Sequence, residues 1–424
     1  MPHPWTSGHL QRLAVLSAPR GADGAPTGSL RVPALAATPS GGLLLIHDLR
    51  PRPDGEAWRS AGGALPDDLP NPNRLWLRRS TDGGATWGEP SPLDPDPAVL
   101  PGLTGISDPS LIVAPDGALH LLAAASSGAG LFGARSPRRR WNPGDPPEPG
   151  TMRLIHAVSH DEGATWRWRD ATDAALPSEQ WPDGAVLFPV SGHGIATPAG
   201  LVQPAVVALA PREDGSRPLR SACLLSETGD SWRLGAPVPL VDGAAASLAG
   251  GTSTSGTDEH AIAPAAQDGS LLVMSARDAA YSGTRLESTS ADGGWTWSRP
   301  TAVPVLSDPG CNAGLAALPD GALLLSHASD PAARCAGRLS IGRPTTAGGP
   351  VWAPLVGLTG PGEPFGYSDL AILAVPHGAD GGAADSAVGS EASGKGPVRV
   401  VVAAEEPGAD EGSTRLVILA IDLG

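Results

Sequence analysis

The feature that most constrains this chain is a turn written repeatedly along it. Ser80-Thr-Asp-Gly-Gly-Ala-Thr-Trp87, Ser159-His-Asp-Glu-Gly-Ala-Thr-Trp166 and Ser290-Ala-Asp-Gly-Gly-Trp-Thr-Trp297 share one template, and Ser226-Glu-Thr-Gly-Asp-Ser-Trp232 is a shortened copy. Their starts lie 79, 67 and 64 residues apart, so a repeated unit of structure fits between copies. Aspartate closes a tight turn through local side-chain hydrogen bonds, glycine accepts positive φ, and the tryptophan can cover the apolar side of the hairpin. A second repeat runs out of phase with the first, a strand, turn, strand pattern around Pro39-Ser-Gly-Gly42, Pro115-Asp-Gly117, Gln267-Asp-Gly269 and Pro319-Asp-Gly321. Pro198-Ala-Gly200 and Pro376-His-Gly378 fit it more loosely, which makes six hairpins. Repeated four-stranded units close into a ring, so the expected fold is all-β, a six-bladed β-propeller of four-stranded antiparallel blades.

Composition agrees with short strands. Glycine (56) and proline (46) make about a quarter of the chain and punctuate apolar runs such as residues 42–46, 111–113 and 322–325. No stretch offers a long amphipathic helix. The ring is read as a single domain over residues 1–424, closed by residues 12–16 joining the sheet that contains 415–421. Residues 378–396, rich in Gly, Ala and Ser, read as an insertion at the last hairpin turn. A formal charge of -15 argues against nucleic acid and anionic membranes as partners. Cys223, Cys311 and Cys335 are too few and too scattered for a disulfide framework or a structural zinc site. With no readable signal peptide and no membrane-spanning run, the expectation is a cytoplasmic protein.

Antiparallel geometry places the start of a blade's first strand and the end of its second at one end of the blade. Arg31, Asp108, His193, Glu259, Asn312 and Tyr367 enter first strands, while Arg50, Arg277, Arg334 and Glu406 follow second strands. Any one of these is most simply a charged residue at the solvent boundary. Their recurrence in phase with the repeat instead gathers arginines, carboxylates and a tyrosine on one face, with the Asp-type turns on the outer rim. His193, between two glycines, suits loop geometry or substrate contact, and no second histidine stands at metal-ligand spacing to it. No metal or cofactor is expected.

With those residues in view, the chain resembles bacterial exo-α-sialidases, Asp-box propellers, over nearly its full length. Arg31-Val-Pro-Ala-Leu35 looks like the family's Arg-Ile-Pro motif and implies the first arginine of a carboxylate-binding triad. Arg277 in Ser275-Ala-Arg-Asp278 matches the second and Arg334 in Ala333-Arg-Cys-Ala-Gly337 the third, with Arg338 its rival. Gly366-Tyr-Ser-Asp-Leu370 resembles the segment of the nucleophilic tyrosine, Tyr367, and Asp258-Glu-His260 that of its partner, Glu259. The family places the acid/base aspartate soon after an Arg-Pro step, here Arg50-Pro51. Asp68 is chosen over Asp54 and Asp67, because Asp68 and the residues after it resemble the run into the first Asp box; residues 52–67 are then an insertion. The likeness also makes Asp108 the N-acetyl contact and Glu406 the residue that orients Arg31. Histidine at 193 replaces a glutamate of the relatives, and Ile106 a bulkier aromatic.

The chemistry implied is hydrolysis of sialylated glycans. Guanidinium groups grip a carboxylate through paired charge-assisted bonds, each contributing about 1.5–3 kcal/mol, enough locally to outweigh a screened negative field. The sugar's own carboxylate would repel an Asp or Glu nucleophile, so a phenol activated by a base suits better. Asp68 would serve as proton donor, which calls for partial burial. A non-catalytic glycan-binding propeller, or a hydrolase of a related nonulosonic acid, stands as the alternative.

Overall fold

The computed structural model describes residues 8–22, 24–51, 68–97, 100–135, 148–176, 185–210, 217–241, 256–266, 268–345, 348–375, 397–410 and 412–424. Asp54, Asp67, the Pro376-His-Gly378 turn and the whole of both insertions lie outside them.

The apolar runs become strands buried on both faces. Leu43, Leu44, Leu45 and Ile46 are each 1% exposed or less, as are Leu323, Leu324 and Leu325. Such strands cannot alternate polar and apolar residues, which is why they read as continuous runs. Six sheets result. Blade I holds Gly28–Ala37, Leu43–Pro51, Arg74–Ser80 and Ser91–Pro92; blade II holds Gly105–Val113, Leu119–Ser126, Met152–Ser159 and Arg167–Asp170. Blade III is built on Gly200–Ala208, Leu219–Ser226 and Arg233–Leu234, blade IV on Thr257–Pro264, Leu272–Asp278, Thr284–Ser290 and Thr301–Ser307. Gly314–Ala317, Leu323–Ala328, Gly337–Thr345 and Gly348–Gly357 form blade V. In blade VI, Ser368–Ala374, Val398–Pro407 and Thr414–Leu423 are followed by the N-terminal strand Gln11–Leu16, so the chain's two ends close the ring in one sheet.

The core lies between blades. Leu44, Ile46 and Leu75 of blade I pack against Leu111, Leu119 and Leu121 of blade II, and Leu43, Leu45 and Leu30 meet Val401, Ala403 and Ile418 of blade VI. Each buried leucine contributes about 1.5–3 kcal/mol, so blade contacts rather than single sheets hold the ring.

The Asp-type turns join third to fourth strands, and their geometry explains their composition. Asp82 accepts from Thr86 N (2.9 Å), Thr86 Oγ1 (2.6 Å) and Ser80 Oγ (2.8 Å), while Trp87 Nε1 donates to Gly84 O at 3.0 Å. Asp161 and Asp292 repeat the clasp with Thr165 and Thr296. The box of blade II also reaches the preceding blade: Glu162 accepts from Ser40 N and Oγ at the inner hairpin of blade I.

Two departures from the expected regularity bear on the site. The inner edge of blade III is split into Val186–Pro189 and Ile195–Thr197, both paired with Gly200–Ala208, and between them Gly192–His193 leaves the sheet to pair in parallel with Ser110 and Leu111 of blade II. A short helix, Thr172–Ala175, follows blade II. No helix among the described residues is long and apolar enough to cross a membrane.

Candidate active site

The inner strands of blades I, II and IV are irregular at equivalent points, with pairing shifts between Arg31 and Ala34, Ser107 and Ser110, and Thr257 and His260. A bulge re-aims the side chains beside it. Val32 (φ 49°) and Asp108 (φ 58°) each take left-handed backbone just before a proline. For a β-branched residue this costs on the order of 1–3 kcal/mol, and the strain is held because Val32 N donates to Glu405 Oε1 at 2.8 Å.

What the bulges bring together is a tyrosine inside a shell of charge. Tyr367, at the entrance to the inner strand of blade VI, donates from its hydroxyl to Glu259 Oε2 at 2.5 Å and accepts from Arg277 Nη1 at 3.0 Å. Arg277 also lies 2.8 Å from Glu259 Oε2 and donates twice to Asp258 Oδ2, at 2.9 and 2.6 Å. The Arg334 guanidinium stands 5.0 Å from the Tyr367 ring centroid and that of Arg31 6.0 Å. Arg334 further donates to Gly310 O at 3.2 Å. Its rival Arg338 sits instead in the third strand of blade V, paired with His327 and Gly357. Burial lifts the Tyr367 phenol well above its ordinary range; Arg277 works against that rise and Glu259 adds to it. Burial likewise pushes the Glu259 carboxyl up, with Arg277 pulling it down and Asp258 adding to the rise.

A second cluster adjoins the first. Arg50, 3% exposed, binds Asp48 Oδ2 at 3.0 Å and Asp68 Oδ1 at 2.6 Å, with Asp108 Oδ1 3.8 Å away. Ser107 Oγ donates to Asp48. Burial raises Asp48 to about 6 against the pull of Arg50, and raises Asp108 well above the carboxylate range with Asp48 adding to the rise. Arg31 joins the two clusters: it lies opposite Asp48, the partner of Arg50, across the first two strands of blade I, and its guanidinium stands over the Tyr367 ring.

Two expectations need correction. The carboxylate that orients Arg31 is Glu405, 2.8 Å from Arg31 Nε, and not Glu406, which binds Arg415 and Arg12 at 2.8 and 2.5 Å. Neighbouring residues on a strand face opposite sides: Val401 and Ala403 pack toward blade I, and Glu405 continues that row. Asp68 is the second. Its side chain is 56% exposed and bridged to Arg50, so the described residues do not supply the burial expected of a proton donor.

Sequence reasoning did not single out Asp48, Asp258, Glu405 or Asp369. Asp369, buried two residues after Tyr367, accepts from Leu35 N at 2.8 Å and meets His193 Nδ1 at 2.6 Å. His193 Nε2 lies 3.0 Å from Leu315 O. Both partners are acceptors, so a ring donating to both is the doubly protonated form; burial, the largest influence, opposes that charge, and the Asp369 charge and hydrogen bond together with the Leu315 carbonyl outweigh it and raise the pKa. His193 thus ties blades II, V and VI together. Among the described residues no group of three His, Cys, Asp or Glu side chains is placed to hold a metal.

Residues 105–376 match the profile of the BNR repeat-like domain. The chain belongs to the BNR repeat-like domain family. Within the curated proteins it is similar to a sialidase from Micromonospora viridifaciens, 31% identical over 375 residues, a match spanning 86% of this chain and 50% of that protein. The chain therefore spans about half the length of that relative. Among solved structures, a Hadza microbial sialidase superposes with a TM-score of 0.60 at 21% identity, covering 88% of this chain and 63% of the other. The intramolecular trans-sialidase from Ruminococcus gnavus, solved in complex with oseltamivir carboxylate, gives 0.61 at 17% identity over 94% and 95% of the two chains. At these identities the superpositions establish the propeller, which is the family's architecture here.

Proposed function

We propose that this protein is an exo-α-sialidase that removes terminal α-linked sialic acids from glycans by two displacements through Tyr367. The observation that carries the reading is the Tyr367–Glu259 contact of 2.5 Å beneath three converging arginines. A glycan-binding module has no use for a buried phenol bonded to a carboxylate base. The relative of 31% identity, itself a sialidase, supports the same reading.

In this mechanism Arg31, Arg277 and Arg334 grip the sugar's carboxylate and hold the anomeric carbon over Tyr367. Glu405 and Asp258 fix the first two guanidiniums. Tyr367 Oη attacks the anomeric carbon as its proton passes to Glu259, because a buried phenol is a poor nucleophile until a base takes that proton. Asp68 protonates the departing glycosidic oxygen; the sugar covering it would supply the burial that the described residues do not. Water then attacks the tyrosyl intermediate, giving its proton to Asp68, and Tyr367 leaves with the proton returned from Glu259. Two inversions give net retention.

Release of 4-methylumbelliferone from its α-sialoside tests the proposal. Wild type is expected to turn over, Tyr367→Phe to lose at least about a thousandfold in kcat, and proton NMR of early product to show the α-anomer. No turnover by wild type between pH 4 and 8 would sink the reading, and sialoside binding without turnover would favour a glycan-binding module.

A further inference from the structure

On the face of the ring opposite the arginines, the repeat departs from its own template at two places, and the two places meet. The box of blade III, residues 226–232, is one residue shorter than the others and lacks their aspartate to threonine clasp. Its Asp230 accepts instead from Thr228 Oγ1 at 3.0 Å and is 86% exposed. In the box of blade IV, the position filled by Ala85 and Ala164 in the first two copies carries Trp295, which is 43% exposed. The turn does not need an indole there, since two of its copies close with alanine.

Between the shortened box and the added indole lies a cavity of about 380 Å³, lined by Trp295, Glu227, Thr228, Asp230, Ser231 and Arg233 among others. That volume falls within the roughly 300–1,000 Å³ typical of small-molecule sites. The lining defines what fits. An exposed indole offers a flat apolar face to a flat apolar partner. Hydroxyls and carboxylates around it match a partner ringed with hydroxyl groups. Two carboxylates face two guanidiniums, Arg233 and Arg169, the latter 4.0 Å from Asp230, so the cavity holds no net charge to draw an ion. A pyranose without charge has all three properties: an apolar C–H face, hydroxyls at its edge, and no charge.

We propose that this cavity is a second, non-catalytic site that binds neutral pyranose sugars, stacked on Trp295 and hydrogen-bonded through Glu227, Thr228 and Asp230. It does not depend on the hydrolase reading, because it lies at the other end of the strands from Tyr367. If both hold, one chain grips a glycan at two points, and the second grip raises avidity by effective concentration.

Saturation-transfer NMR on the full chain with lactose, cellobiose and maltose at millimolar concentration is the test. Transfer to at least one disaccharide is expected in wild type and in Tyr367→Phe, with binding about tenfold weaker or worse in Trp295→Ala. That variant restores the residue that the first two boxes carry, so its thermal midpoint and its turnover of the fluorogenic sialoside should match wild type. Preference for lactose would tie the site to animal-type glycans and preference for a glucose disaccharide to polysaccharide; both support a neutral-sugar site. No transfer from any of the three, or equal transfer in Trp295→Ala, would overturn the proposal. So would tighter Trp295-dependent binding of 3'-sialyllactose than of lactose. Loss of sialoside turnover in wild type with disaccharide binding intact would strike the hydrolase reading alone.

Discussion

Aspartate and glutamate do opposite things at the two ends of these strands. On the rim, Asp82 and Asp161 stand in water, and hydrogen bonds from Thr86 and Thr165, with help from Ser80 and Ser159, pull each carboxyl down to about 2. At the mouth of the ring, Glu259 is buried and Asp108 half-buried, and desolvation pushes their carboxyls up. The rim carboxylates are therefore permanent anions that close turns. Those at the mouth are held nearer the range in which protons move. Periodicity marks the structural set, and departures from strand regularity, the bulges at Arg31, Ser107 and Thr257, mark the chemical one.

The largest test of that division is a pair of single changes. Glu259→Gln should lower kcat by roughly 10²–10⁴-fold, the usual worth of a general base, with a thermal midpoint near wild type. An unchanged kcat would mean that Tyr367 does not rely on Glu259, and the division between the two ends would lose its functional content.

Next in size are the neighbours Glu405 and Glu406, adjacent in sequence and opposite in direction. Glu405→Gln should raise KM about tenfold or more, because Arg31 loses the charged partner that aims it and Val32 N loses a strong acceptor. Glu406→Gln removes a pair with Arg12 and Arg415 away from the site and should leave KM within about twofold, as partly exposed ion pairs contribute little. A reversal of these effects in steady-state kinetics would restore Glu406 as the orienting residue.

That pair also shows where the sequence ceases to be legible. Blade phase, ring closure by residues 12–16 and the assembly of Arg31, Arg277, Arg334, Glu259 and Tyr367 could be followed from repeats and a resemblance, because turn chemistry and strand period are local. Which of two consecutive glutamates faces blade I depends on the packing of Val401 and Ala403 against the next blade, which is not local. Asp258 and Glu259 are harder still. On a regular strand they would face opposite sides, and only the pairing shift between Thr257 and His260 lets both reach Arg277. The split inner edge of blade III was unreadable for the same reason, since Gly192–His193 is held by blade II.

A smaller effect is the order in which the two ends respond to acid. A base must be ionised to act, so kcat/KM should fall, as pH drops, through a pKa above the ordinary glutamate value of about 4.3, because burial raises Glu259. The rim has the opposite sign. Asp82 is depressed in the folded state, so its contribution to stability is complete above its unfolded value of 3.8 and is lost only as pH falls toward about 2. Activity should therefore vanish before the boxes loosen. Parallel titration of kcat/KM and of the thermal midpoint checks the order, and coincident losses would mean that the site fails by unfolding.

The smallest expected change lies on the rim itself. Asp82→Ala removes the acceptor for Thr86 N, Thr86 Oγ1 and Ser80 Oγ, but water can satisfy the donors of Thr86, which is exposed. The net loss should be about 1 kcal/mol, the usual worth of an exposed hydrogen-bonded turn, with kcat and KM unchanged. The tryptophan that follows the clasp decides whether this holds. Trp87 packs into the core between blades I and VI and is tied to Gly84 O, so it should keep its place when the aspartate goes. Near-UV circular dichroism, read against a Trp87→Phe control because the chain holds 12 tryptophans, would report Trp87: an altered Trp87 signal together with lost turnover would mean that the rim turns transmit to the mouth, and that the two ends of the strands are not independent.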